Sequence, residues 1–104
     1  MAHNKLTAGL RPVHPGEILR EDVIPGMRLS KSDIAAHLGV SRQTLHEILA
    51  ERRPITAQMA LRIGKLCGNG PDIWLRLQNS YDLRQAEKAM GKALAKIPTL
   101  SAAA

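Results

Sequence analysis

SKSDIAAHLGVSRQTLHEILAERR, residues 30–53, carries two helix signatures with almost nothing between them. Ser30 is a capping residue followed three positions later by Asp33, a pattern that opens helices. Ile34, Ala35 and Leu38 then recur on one face, and Gly39 supplies a left-handed stop that only glycine adopts cheaply. Ser41 caps a second helix at once, in which Leu45, Ile48 and Leu49 face inward while Arg42, Gln43, His46 and Glu47 stay outside. Two short helices joined by Gly-Val-Ser have no room to stack antiparallel, so they must cross steeply. The spacing predicts a helix-turn-helix at about residues 30–50. Ala35, Gly39, Leu45 and Ile48 form its core: a small residue where the helices approach, a turn glycine and two plugs beneath the second helix, with Val40 beside them.

The flanking sequence supplies the rest of a bundle. His14-Pro15-Gly16-Glu17 looks like a helix start, since proline suits the first helical position and glutamate the first turn. Leu19 and Val23 share a face of that helix, and Pro25-Gly26 predicts its end. Past Arg52-Arg53-Pro54, Thr56 is a cap for a fourth helix carrying Met59, Ala60, Ile63 and Leu66, stopped by Gly68-Asn69-Gly70. Pro71 begins a fifth, with Ile73, Trp74, Leu77 and Tyr81 on its apolar side and an end expected near Met90. No strand pattern or repeat interrupts this order, so the expected fold is all-α, a five-helix bundle. The division expected is a flexible N-terminal arm at 1–13, one folded domain at 14–90, and a tail at 91–104 that is partly disordered or partner-binding.

Composition narrows the function classes. At 104 residues the chain is one domain, and with no Phe, one Trp and one Tyr its core must be aliphatic. Cys67 is the single cysteine, which forbids an internal disulfide and fits a reducing compartment. The N-terminal segment lacks an apolar core of the kind a secretion signal needs, and no apolar run approaches a membrane span. The expectation is a cytoplasmic protein with no membrane partner. The net charge of +6 and pI near 10.1 favour a polyanionic partner, against the plain alternative of a solvated basic surface. Aromatic residues make up only 2%, too few to stack single-stranded RNA. His3, His14, His37 and His46 include no pair four apart on a helix, there is no cysteine pair, and no phosphate-binding glycine loop appears. These absences argue against a metal, a cofactor and an enzyme, and leave duplex DNA as the polyanion.

A helix-turn-helix reads DNA by placing its second helix in the major groove, where the exposed N-terminal residues meet base edges. Arg42 can donate two hydrogen bonds to guanine, and Gln43 can pair bidentately with adenine. Thr44 offers a methyl group to thymine or a hydroxyl to phosphate. Glu47 can accept from cytosine, or else pair with a neighbouring arginine; His46 belongs at the edge of the interface. Lys31, Ser41, Arg52 and Arg53 flank the helix as phosphate contacts, which fix register without reading sequence. Their plain alternative is an unengaged basic surface.

Three blocks add a resemblance: HPGEIL in the first helix, the helix-turn-helix itself, and PDIWLRLQNSYDLRQAE in the last helix. Together they span roughly His14 to Glu87, and the chain resembles the HigA family of toxin–antitoxin antidotes, within the phage-repressor-like (lambda-repressor-like) regulators. The resemblance implies a protein that neutralises a HigB-like toxin, an endonuclease acting on mRNA at the ribosome. It also implies repression of its own operon through a palindromic operator in double-stranded DNA, bound as a homodimer. The rival is a stand-alone regulator of the same fold with no toxin partner. Trp74, Leu77 and Tyr81 are expected either in the core or at the dimer interface, where aromatic residues are enriched. No residue is singled out for the toxin, although the terminal segments lie outside the DNA reader.

Overall fold

The sequence builds its helices from local punctuation and then locks them with a few long-range contacts. A computed structural model describes residues 11–100, so most of the expected N-terminal arm and the last residues of the tail lie outside the described residues. Five helices follow in order. The first, α1, has three consecutive parts, Pro15–Ile18, a π-helical turn at Leu19–Val23, and Ile24–Met27; then come α2 (Lys31–Leu38), α3 (Arg42–Leu49), α4 (Ala57–Cys67) and α5 (Asp72–Ala95). Among the described residues there is no strand, and no helix is long and apolar enough to cross a membrane.

The expected caps hold the expected helices. Ser30, Ser41 and Thr56 accept the backbone N–H of Asp33, Thr44 and Met59 at 3.0, 3.0 and 3.2 Å. Gly39 and Gly68 close α2 and α4 in the left-handed region, at φ 73° and 78°.

Three local expectations need correction. Pro25 does not stop α1. The preceding turn widens, so that the Ile24 N–H reaches back to the Leu19 carbonyl and the proline ring passes without striking the backbone behind it. The helix ends instead at Arg28, which takes a left-handed φ of 55°. The last helix runs beyond Met90 to Ala95, because Gly91 is a weak breaker among strong helix formers. Ile73, expected on the apolar side, is 41% exposed; the inward stripe of α5 runs through Trp74 and Gln78 instead.

The core lies where α2, α3 and α4 meet, with Ile34, Leu45, Ile48 and Ile63 almost fully buried and Leu19 and Trp74 closing it from α1 and α5. Burying an aliphatic side chain of this size stabilises by roughly 1.5–3 kcal/mol each. Two glycines allow the close approaches. A Cβ on Gly16 would stand 2.0 Å from the Ile48 carbonyl oxygen, so α1 lies directly on the backbone of α3. A Cβ on Gly64 would stand 2.3 Å from the Gly70 carbonyl carbon, which lets the loop before α5 fold tightly onto α4.

Candidate nucleic-acid interface

Within the helix-turn-helix, Ala35, Leu45 and Ile48 are buried and Gly39 makes the turn, so the pair is rigid from beneath. Further contacts hold α3 in place. The Arg20 guanidinium donates to the Leu49 carbonyl at 2.7 Å and pairs with Glu51 at 3.1 Å. It thereby satisfies a carbonyl at the end of α3 and anchors the left-handed turn at Glu51, φ 63°. The Arg62 guanidinium donates to the Leu38 carbonyl at 2.8 Å and closes the end of α2 in the same way. In the loop that follows α3, the Gln78 side-chain carbonyl accepts the Ile55 N–H at 2.8 Å, and its amide donates to Asp82 at 3.0 Å.

The outward face of α3 carries the expected reading residues. Arg42 and Gln43 are exposed, and Thr44 and Glu47 are half-buried on the same helix. Ser41 accepts the Thr44 N–H at its oxygen and donates its hydroxyl proton to the Thr44 hydroxyl at 2.8 Å, which fixes Thr44 at the helix start. The first N–H groups of α3 have no intrahelical acceptor and carry the positive end of the helix dipole, so this end attracts phosphate. Lys31 stands exposed at the start of α2, and neither it nor Arg42 is held by an acceptor among the described residues.

The structure brings the side chains of Gln43, Glu47 and Arg53 together, while Arg52 turns its guanidinium toward His46. Arg53 donates to one Glu47 oxygen from Nε at 3.0 Å and from its terminal nitrogen at 2.7 Å, while Gln43 donates to the other oxygen at 3.0 Å. The Gln43 hydrogen bond, and then Arg53, hold the Glu47 carboxyl below the usual carboxylate range. Of the two roles weighed for Glu47, the free chain adopts the pairing with a neighbouring arginine. Arg52 approaches His46 at 3.3 Å.

On α5, Trp74 is 2% exposed and donates from its indole to Asn69 at 3.1 Å. It is therefore a core residue and presents nothing to a partner. Leu77 is half-buried against the core, and Tyr81 meets the His14 ring edge-on at 5.0 Å. His14 itself is buried, caps α1 by accepting the Gly16 N–H at Nδ1 (2.9 Å), and has its pKa lowered by that burial. Arg20 and Arg62 left no signal as site-shaping residues in the sequence, because each acts on a backbone carbonyl remote in the chain; His14 showed as part of the helix start, but its contact with Tyr81 did not. Gln78 did leave one, since it falls four residues after Trp74 on the same stripe.

No family model matches the chain. Pairwise comparisons are more informative. Virulence-associated protein I of Dichelobacter nodosus is 45% identical over 76 residues, 73% of this chain and 70% of that protein. Antitoxin HigA-1 of Vibrio cholerae is 32% identical over 73 residues, 70% of this chain and 69% of its own length. Among solved structures, the Pseudomonas aeruginosa antitoxin HigA, determined with the higBA promoter, superposes with a TM-score of 0.82 at 38% identity, over 86% of this chain and 99% of that one. The likeness embraces the reader, its supports and most of α5. The chain belongs to the HigA family of antitoxins.

Proposed function

We propose that this chain is the antitoxin of a type II toxin–antitoxin pair, which represses its own operon by sequence-specific DNA binding and neutralises a HigB-like, mRNA-cleaving toxin. The observation that carries the DNA half is the face of α3. Arg42, Gln43 and Thr44 stand at the N-terminal end of a helix braced by its Ser41 cap, by Arg20 on Leu49 and by Gly16 under Ile48. Arg42, Gln43 and Thr44 reach base edges, while Lys31, Ser41 and Arg52 serve the phosphates; Arg53, the fourth expected phosphate contact, is engaged by Glu47 in the free chain. The toxin half rests on the family. The chain acts by binding in the cytoplasm and catalyses nothing itself.

A single reader helix covers too few base pairs for useful discrimination, so two copies read the palindrome. Because Trp74 is internal, the dimer surface shifts outward along α5. Leu83, Met90 and Leu94 are 57%, 44% and 43% exposed there. Leu83, Ala86, Met90 and Ala93 follow the alternating spacing of a coiled-coil seam, a pattern that suits a second copy of the same helix. Leu77 and Tyr81 precede this seam on α5. The terminal segments, the tail at 91–104 among them, are the candidates for the toxin because they lie outside the DNA reader.

Co-expression with the small open reading frame beside this gene tests the toxin half. The result expected is a growth-arresting partner, rescue by this chain, and a complex that survives size exclusion. A harmless neighbour that forms no complex would reduce the chain to a solitary regulator of the same fold.

A further inference from the structure

Two of the side chains expected to meet bases, Gln43 and Glu47, hold one another. They lie four apart on α3, the spacing at which helix side chains touch, and the Gln43 carboxamide N–H donates to Glu47 Oε2 at 3.0 Å. Oε1 is occupied from the other side by Nε and a terminal nitrogen of Arg53 at 3.0 and 2.7 Å. A carboxylate only accepts, so it selects the NH2 end of the glutamine and repels the flipped arrangement in which Oε1 faces it. One N–H of Gln43 is spent on Glu47. The side-chain oxygen and the second N–H remain, in fixed order, as the acceptor and donor that match the N6 and N7 edge of adenine.

An unpaired carboxylate on a helix meant for the major groove is repelled by phosphate. Arg53 removes that objection: its pairing with Glu47 makes the local charge neutral, and the lowered pKa of Glu47 fits a carboxylate so held. Arg53 comes from the loop after α3, whose course is set by Arg20 on Glu51 and by Gln78 on Ile55.

We propose that Glu47 reads no base of its own: it is a positioning residue that orients the Gln43 carboxamide for adenine, with Arg53 as its counter-charge. This rests on α3 being the operator-reading helix. One acceptor site on Oε2 is left over, and a cytosine amino group reaching it is the competing outcome.

The test is selection from a randomised duplex library with the full chain, comparing wild type with Gln43→Ala, Glu47→Ala, Glu47→Gln and the Gln43→Ala/Glu47→Ala double variant. Gln43→Ala is expected to lower the preference at one base pair by about tenfold or more. Glu47→Ala is expected to lower the preference at that same pair by about threefold to tenfold, with no further loss in the double variant. Glu47→Gln keeps an acceptor facing Gln43, so much of the preference at that pair should return. A loss in Glu47→Ala at a pair that Gln43→Ala leaves intact would overturn the proposal, because Glu47 would then read its own base. So would an intact preference in Glu47→Ala beside a lost one in Gln43→Ala. A Gln43→Ala variant with unchanged preference everywhere would instead bring down the reading of α3 on which the proposal stands.

Discussion

His14 shows how one residue ties a helix start to a pH response. Its Nδ1 accepts the Gly16 N–H, so the ring must be neutral there, and its burial beside Tyr81 lowers its pKa below the ordinary 6.5. Glu51 and Asp82 pull in the opposite direction without overcoming the burial. In the unfolded chain the imidazole binds a proton on falling below about pH 6.5, before the folded chain does. The stability contributed by His14 is therefore complete above that pH and declines as the solution is acidified through it. Thermal melting should show a midpoint falling between pH 7.5 and 5.5, with a shallower fall in His14→Asn, which retains a capping acceptor without the titration. An unchanged slope in that variant would remove His14 as the cause. At this scale the sequence was only partly legible. Ser30, Ser41 and Thr56 announce themselves because a cap bonds within three residues. Gly16 and Arg20 do not, because the groups they serve, at Ile48 and Leu49, are brought near only by the completed fold.

Among the elements, α3 is short and depends on its ends. Ser41 supplies the cap at its start and Arg20 the donor at its finish, so a helix too short to persist alone in water is held ready for the groove. Its inward pattern of Leu45, Ile48 and Leu49 was plain in the sequence, as was the turn at Gly39. The course of α1 was not: Pro25 is a legitimate stop signal, and only the wide turn before it lets the helix continue. The length of α5 was also hidden, since Gly91 and the weak periodicity after Met90 gave no reason to extend it. That extension matters for assembly. Leu83 and Met90 face solvent on the outer part of α5, where they contribute nothing to the core. Leu83→Arg with Met90→Arg should therefore leave the melting midpoint of the monomer fold nearly unchanged while shifting the molar mass by light scattering to that of one chain. A double variant that remains dimeric would place the second copy elsewhere.

For the whole molecule, an excess of +6 and a rigid reader make two separable contributions to DNA binding. In the reading proposed here, the charge would give every duplex a salt-dependent affinity and the α3 face would add preference for one sequence. A single core braces the helix-turn-helix and joins it to the long final helix. The most direct measurement is fluorescence anisotropy of the full chain with duplex DNA from upstream of its own gene, against a scrambled duplex of equal composition, across a salt series. The expected result is a preference of about a thousandfold or more at physiological salt, saturating at two chains per palindrome, with both affinities falling steeply as salt rises. Equal affinity for the two duplexes at every salt concentration would contradict it, leaving a basic surface where we place an operator reader.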